Sequence, residues 1–207
     1  VNGTLWKFER IYRELLLRSL RQATLVHQED VALNCKVSLG LVNKTVKKLT
    51  VANAVEATRN GVRVLSPARL LNLWAAERNI NKDIWQSFRL DPVTEAERDL
   101  PGNTLLTAFS AWFKTSNRKP ADYDRLYFYV TNKENLNHWL NFRKQKTRTV
   151  NPNIFALFVD DDHLIQTSKK GIVCLPQIYV DIYSINGPEA APFLRNITTV
   201  HPTLSLW

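Results

Sequence analysis

Leu5, Phe8, Ile11, Tyr12, Leu15, Leu16 and Leu20 recur every three or four positions. That spacing predicts an amphipathic helix over 5–22, with Arg10, Arg13, Arg18 and Arg21 turned away from its inner face. A short helix at about 29–35 carries Val31 and Ala32, and His27 just ahead of it helps to cap it. A turn follows at Lys36-Val37. Ser38 then caps a helix over 39–49, because its hydroxyl can accept a bond from an unpaired N–H in the first turn. Val42, Val46 and Leu49 stand at i, i+4 and i+7 and form one buried stripe. Leu39, Gly40, Asn43, Lys44 and Lys47 fall outside that stripe. Residues 54–65 read as a β-hairpin with a type I′ signal at Asn60-Gly61. Ser66-Pro67 then gives an N-cap followed by proline at the first helical position, opening a helix over 67–78 with Leu70, Leu71, Trp74 and Ala75 inward.

The second half alternates in type. Strands are predicted at Ile84–Leu90, Arg125–Thr131, Ile154–Asp160 and Ile178–Tyr183, with a hairpin from His163–Thr167 to Gly171–Leu175 through Ser168-Lys169-Lys170. Helices are predicted at Thr104–Lys114, Lys133–Phe142 and Pro188–Ile197, and 91–103, with Pro92, Pro101 and Gly102, reads as loop. Trp112, Trp139, Tyr127 and Tyr129 are core positions. The expected fold class is α+β: an N-terminal winged helix-turn-helix over 1–78 and a small mixed α/β sheet domain over 79–207. No internal repeat or low-complexity segment interrupts it.

Charge sharpens the picture for the first segment. The 207 residues carry a formal net charge of +9. Residues 1–78 hold 13 Lys/Arg against 6 Asp/Glu, and residues 79–207 hold 15 against 13. The excess coincides with the recognition-helix pattern, which favours a polyanion, and duplex DNA is the polyanion this pattern fits. Asn43 and Lys44 are placed to reach base edges, and Gly40 lets the helix approach closely. Ser38, Leu39, Lys47 and Lys48 share the exposed side, and Arg59 and Arg63 flank the hairpin tip, where phosphate or a minor groove would lie. A single such unit reads few base pairs, so a homodimer on paired half-sites is expected.

Other features bound the chain more loosely. Cys35 and Cys174 lie far apart in apolar stretches, as buried thiols in a reducing cytoplasm do. No membrane-length apolar run and no signal-peptide pattern is present, so the sequons at Asn2, Asn43 and Asn196 are read as chance. Methionine is absent, so the chain does not begin at an initiator Met, and a further N-terminal segment is an expectation only.

One family brings these elements together. A winged-helix pattern runs into Ser66-Pro67-Ala68-Arg69-Leu70-Leu71-Asn72-Leu73-Trp74, and the chain closes with Gln177-Ile178-Tyr179-Val180-Asp181-Ile182-Tyr183 and Gly187-Pro188-Glu189-Ala190-Ala191. In this it resembles AbiEi-type antitoxins and transcriptional regulators. The resemblance implies a winged helix that binds operator DNA and a second domain that neutralises a nucleotidyltransferase-like toxin. Dimerisation or effector sensing are the other roles open to that domain.

An enzymatic reading rests on Asp160, Asp162 and Asp181, which would hold divalent metal for a nuclease or nucleotidyltransferase if they converged from neighbouring strands. No Gly-Ser phosphate loop accompanies them. The expectation is therefore a non-enzymatic protein with no catalytic residue, cofactor or metal. His27, His138, His163 and His201 have no partner at zinc spacing. The basic run Arg143-Lys144-Gln145-Lys146-Thr147-Arg148 is either a solvated linker or a phosphate contact.

Overall fold

The computed structural model describes residues 4–23, 25–143, 150–158 and 161–206, with the side chains of all of these except 4–6, 142 and 143. The fold is mixed α and β. It divides into two units, residues 1–77 with 197–207, and residues 78–196. None of the described helices is long and apolar enough to cross a membrane.

The first unit is built from helices α1 (Thr4–Leu20), α2 (Gln28–Cys35) and α3 (Leu39–Val51), hairpin strands β1 (Val55–Thr58) and β2 (Gly61–Val64), and helix α4 (Pro67–Glu77). These fall where the apolar spacing puts them. Ile11, Tyr12, Leu15 and Leu16 of α1 meet Val31 and Cys35 of α2, Val42, Val46 and Leu49 of α3, and Leu70, Leu71 and Trp74 of α4 in one buried core. Leu204, in a closing turn at Pro202–Leu204, is fully buried and belongs to the same unit. Arg13 departs from the expected pattern. It is 1% exposed, and its guanidinium lies 5.8 Å from the Trp74 ring centroid, on which Tyr12 also stacks. The face of an aromatic ring attracts a cation, so an arginine on the inner side of α1 is tolerated.

The hairpin turn is not type I′. Strand pairing ends at Thr58↔Gly61, so Arg59 and Asn60 are the turn residues, and neither has positive φ. Thr58 Oγ1 accepts from Asn60 N at 3.3 Å and holds the turn from its side chain. The glycine is needed one position later. Gly61 has φ +140°, and a Cβ there would lie 2.6 Å from the Val26 carbonyl oxygen. That carbonyl is fixed, because Val26 pairs with Val62 as a third strand would. Gly61→Ala is expected to cost about 1–3 kcal/mol through strain and displaced pairing. An unchanged urea midpoint for the variant would show that the hairpin can shift freely.

The second unit centres on a four-stranded sheet of β3 (Ile84–Phe88), β4 (Thr104–Leu106), β5 (Leu126–Val130) and β6 (Ile154–Phe158), in the order β3-β6-β5-β4. The β5–β6 pair is parallel and the outer pairs are antiparallel. Every residue of β5 is buried, and its run Leu-Tyr-Phe-Tyr-Val reads as the continuous apolar strand of a sheet interior. Helices α5 (Val93–Arg98), α6 (Ala108–Ser116), α7 (Lys133–Arg143), α8 (Asp162–Thr167), α9 (Leu175–Tyr183) and α10 (Ala190–Val200), with a short 3-10 turn at Ile80–Asp83, complete the described elements.

Four expectations need correction here. Residues 104–114 are not one helix: Thr104–Leu106 pairs with β5, and the helix starts after Thr107. Val93–Arg98, expected as loop, is a helix burying Val93 and Ala96. His163–Thr167 is helical, because Asp161 caps it by accepting from Leu164 N at 3.1 Å, so the first arm of the expected hairpin is not a strand and the turn keeps only an antiparallel bridge between Lys169 and Ile172. Ile178–Tyr183 is helical too. Residues 176–182 are all buried, so their apolar run carried no strand-specific alternation.

Candidate nucleic-acid interface

The exposed side of α3 starts with its cap. Lys36 ends α2 in the left-handed region, with φ 51°, and the capping N–H groups there reach the Ala32 and Leu33 carbonyls. Two residues on, Ser38 accepts from Leu41 N at 3.3 Å and opens α3. His27 occupies the N-cap position of α2 without a side-chain capping bond. Val42, Thr45, Val46 and Leu49 then take the buried side of α3. Ser38, Leu39, Gly40, Asn43, Lys44, Lys47 and Lys48 are all exposed, as are Arg59 and Arg63 on the hairpin.

The structure sorts these nine residues. Leu39, Asn43 and Arg59 line one cleft of about 120 Å³, together with His27, Gln28, Glu29, Thr58, Asn60 and Gly61. The N-terminal half of α3 and the hairpin tip thus face a common space. The cleft is well below the roughly 300–1,000 Å³ typical of small-molecule pockets. It has the size of a notch in a larger contact surface. The side chains of Asn43, Lys44, Lys47 and Arg59 make no hydrogen bond or ion pair with any described residue, so their hydrogen-bonding capacity faces outward.

Two cations stand apart from that cluster. Lys48 is ion-paired with Glu77 of α4, which also accepts from the Tyr12 hydroxyl at 3.4 Å. Burial, and then the adjacent Glu77 carboxylate, hold the Tyr12 phenol well above its ordinary value, so it remains a donor. Arg63 lies 3.5 Å from Glu56 across the hairpin. It lines a separate, largely apolar depression of about 450 Å³ with Gln22, Ala23, Leu25 and Val64. Sequence alone does not distinguish Lys48 from Lys47, because the Glu77 that engages it is 29 residues away.

The carboxylates of the enzymatic reading are placed otherwise. Asp160 lies outside the described residues, as do 144–149 of the basic run. Asp162 is exposed in the first turn of α8. Asp181 is fully buried on α9. Its Oδ1 accepts from Arg78 Nε at 2.8 Å and Gln177 Nε2 at 3.0 Å. Its Oδ2 accepts from Thr107 Oγ1 at 2.6 Å and the Tyr129 hydroxyl at 2.8 Å. Four donors fill the capacity of a carboxylate, which leaves none for a metal ion. Arg78 also donates to the Tyr129 oxygen at 2.8 Å and lies 2.5 Å from Asp83. Among the described residues, no three His, Cys, Asp or Glu side chains are grouped to hold a metal.

No protein-family model, curated protein or solved structure matches this chain.

Proposed function

We propose that this protein is a sequence-specific DNA-binding regulator whose first unit is a winged helix, with α3 in the major groove and the β1–β2 hairpin as the wing. The observation that carries it is the cluster of Leu39, Asn43 and Arg59 at one cleft, beside the outward-facing Lys44 and Lys47. Apolar, amide and cationic side chains on one exposed helix face are what base edges and phosphates require together. The charge excess in residues 1–78 supports the same partner. Lys48, already engaged by Glu77, sits at the margin of this surface.

The proposal extends to a homodimer on two half-sites about one helical turn apart. For the second unit it takes the role the family resemblance implies, binding a nucleotidyltransferase-like toxin. The test is enrichment of the full chain against a random-sequence duplex pool. The expected result is a short motif, repeated at about 10 base pairs. Recovery of duplexes with no common motif would overturn sequence-specific recognition.

A further inference from the structure

Gly40 is the least explained residue on the exposed face of α3. It stands in the first turn of the helix, where glycine destabilises relative to alanine. Its φ is not in the left-handed region, and a Cβ built on it would meet nothing within 4 Å. Nothing inside the described protein calls for glycine there. Beside it, Leu39 is 40% exposed at the first helical position and lines a cleft whose other walls are mostly polar. Asn43 stands one turn further on, exposed and lining the same cleft, with an amide that bonds no described residue. Residues i and i+4 lie about 5–6 Å apart at Cβ. That is half the roughly 12 Å width of the DNA major groove.

We propose that Leu39, Gly40 and Asn43 together read one A·T base pair from the major groove. This rests on the DNA-binding reading above and makes it specific. The Asn43 amide nitrogen donates to adenine N7, and its oxygen accepts from the adenine N6 amino group. Leu39 packs on the 5-methyl group of the paired thymine, the one apolar feature of a base-pair edge in that groove. The missing side chain at Gly40 lets the helix come close enough for both contacts. Arg59, across the cleft, neutralises a phosphate on the adjoining backbone.

The experiment uses the full chain and the duplex it enriches from a random pool. Each thymine in turn is replaced by deoxyuridine, which removes only the methyl group. At one position this is expected to weaken wild-type binding about fourfold, the equivalent of one methyl-sized group. The same replacement is expected to leave the affinity of Leu39→Ala unchanged. Asn43→Ala is expected to abolish the preference for adenine opposite that thymine. Gly40→Ala is expected to raise the melting temperature of the free protein and to weaken duplex binding more than tenfold. The proposal is overturned if no deoxyuridine position matters, if the loss persists in Leu39→Ala, or if Gly40→Ala binds as well as wild type. Those results leave DNA binding itself intact. If no duplex is enriched at all, the DNA-binding reading falls first and this assignment with it.

Discussion

Asp181→Ala is expected to destabilise the second unit by about 3–5 kcal/mol, the range seen when one member of a buried ion pair is removed. The cost follows from what the substitution leaves behind. Arg78 is 6% exposed and would lose its Nε acceptor. Tyr129, 0% exposed, would lose the acceptor for its hydroxyl, and so would Thr107. Each buried donor left unsatisfied carries its own desolvation penalty. These residues come from β5, α9 and the segments just before β3 and α6, so the carboxylate ties together most of the layers of the sheet domain. Native-state hydrogen exchange at β5 would report the loss as protection lower by about two to three and a half orders of magnitude. A change below about 1 kcal/mol would mean that the network relaxes around the gap.

The second large effect is expected on binding. Lys44→Ala, Lys47→Ala and Arg59→Ala combined should weaken duplex binding by on the order of a hundredfold to a thousandfold, at roughly 1–1.5 kcal/mol for each charge-assisted contact. The salt dependence should become shallower by about 0.9 for each phosphate that no longer has a cation against it. Lys48→Ala, which removes a cation already paired with Glu77, should do much less. Anisotropy titrations of the triple variant, Lys44→Ala and Lys48→Ala separate these outcomes. Equal effects of Lys48→Ala and Lys44→Ala would mean that the pair with Glu77 gives way on binding.

The first unit was legible because its signals are local and agree with one another. The Ser38 cap, the Val42-Val46-Leu49 stripe and the Ser66-Pro67 start each fix an element within a few residues. The turn type was not legible, because Gly61 serves the pairing of Val62 with Val26 and not the turn itself. The second unit was harder for a physical reason. Alternation identifies a strand only when one side is polar, and 176–182 is buried throughout. Helical spacing was nonetheless present: Gln177 bonds Asp181, and Tyr179 stacks on Tyr183 at 6.4 Å, both at i,i+4. Pro176 in the first turn pointed the same way. The partnership of Arg78 with Asp181 spans 103 residues, and no local pattern announces it. In the candidate binding surface, the exposed residues were readable from helix spacing. The grouping of Asn43 with Arg59, and the diversion of Lys48 to Glu77, needed the tertiary structure.

The central claim is tested most directly by the affinity of the full chain for its enriched duplex across a salt series from about 50 to 200 mM. Lys47 and Arg59 each neutralise one phosphate, while Lys44 reaches a base edge. The logarithm of the binding constant should therefore fall linearly with the logarithm of salt, with a slope of about −1.8 or steeper. An unrelated duplex should bind more weakly. A slope near zero, or equal affinity for both duplexes, would contradict the claim that this surface reads DNA.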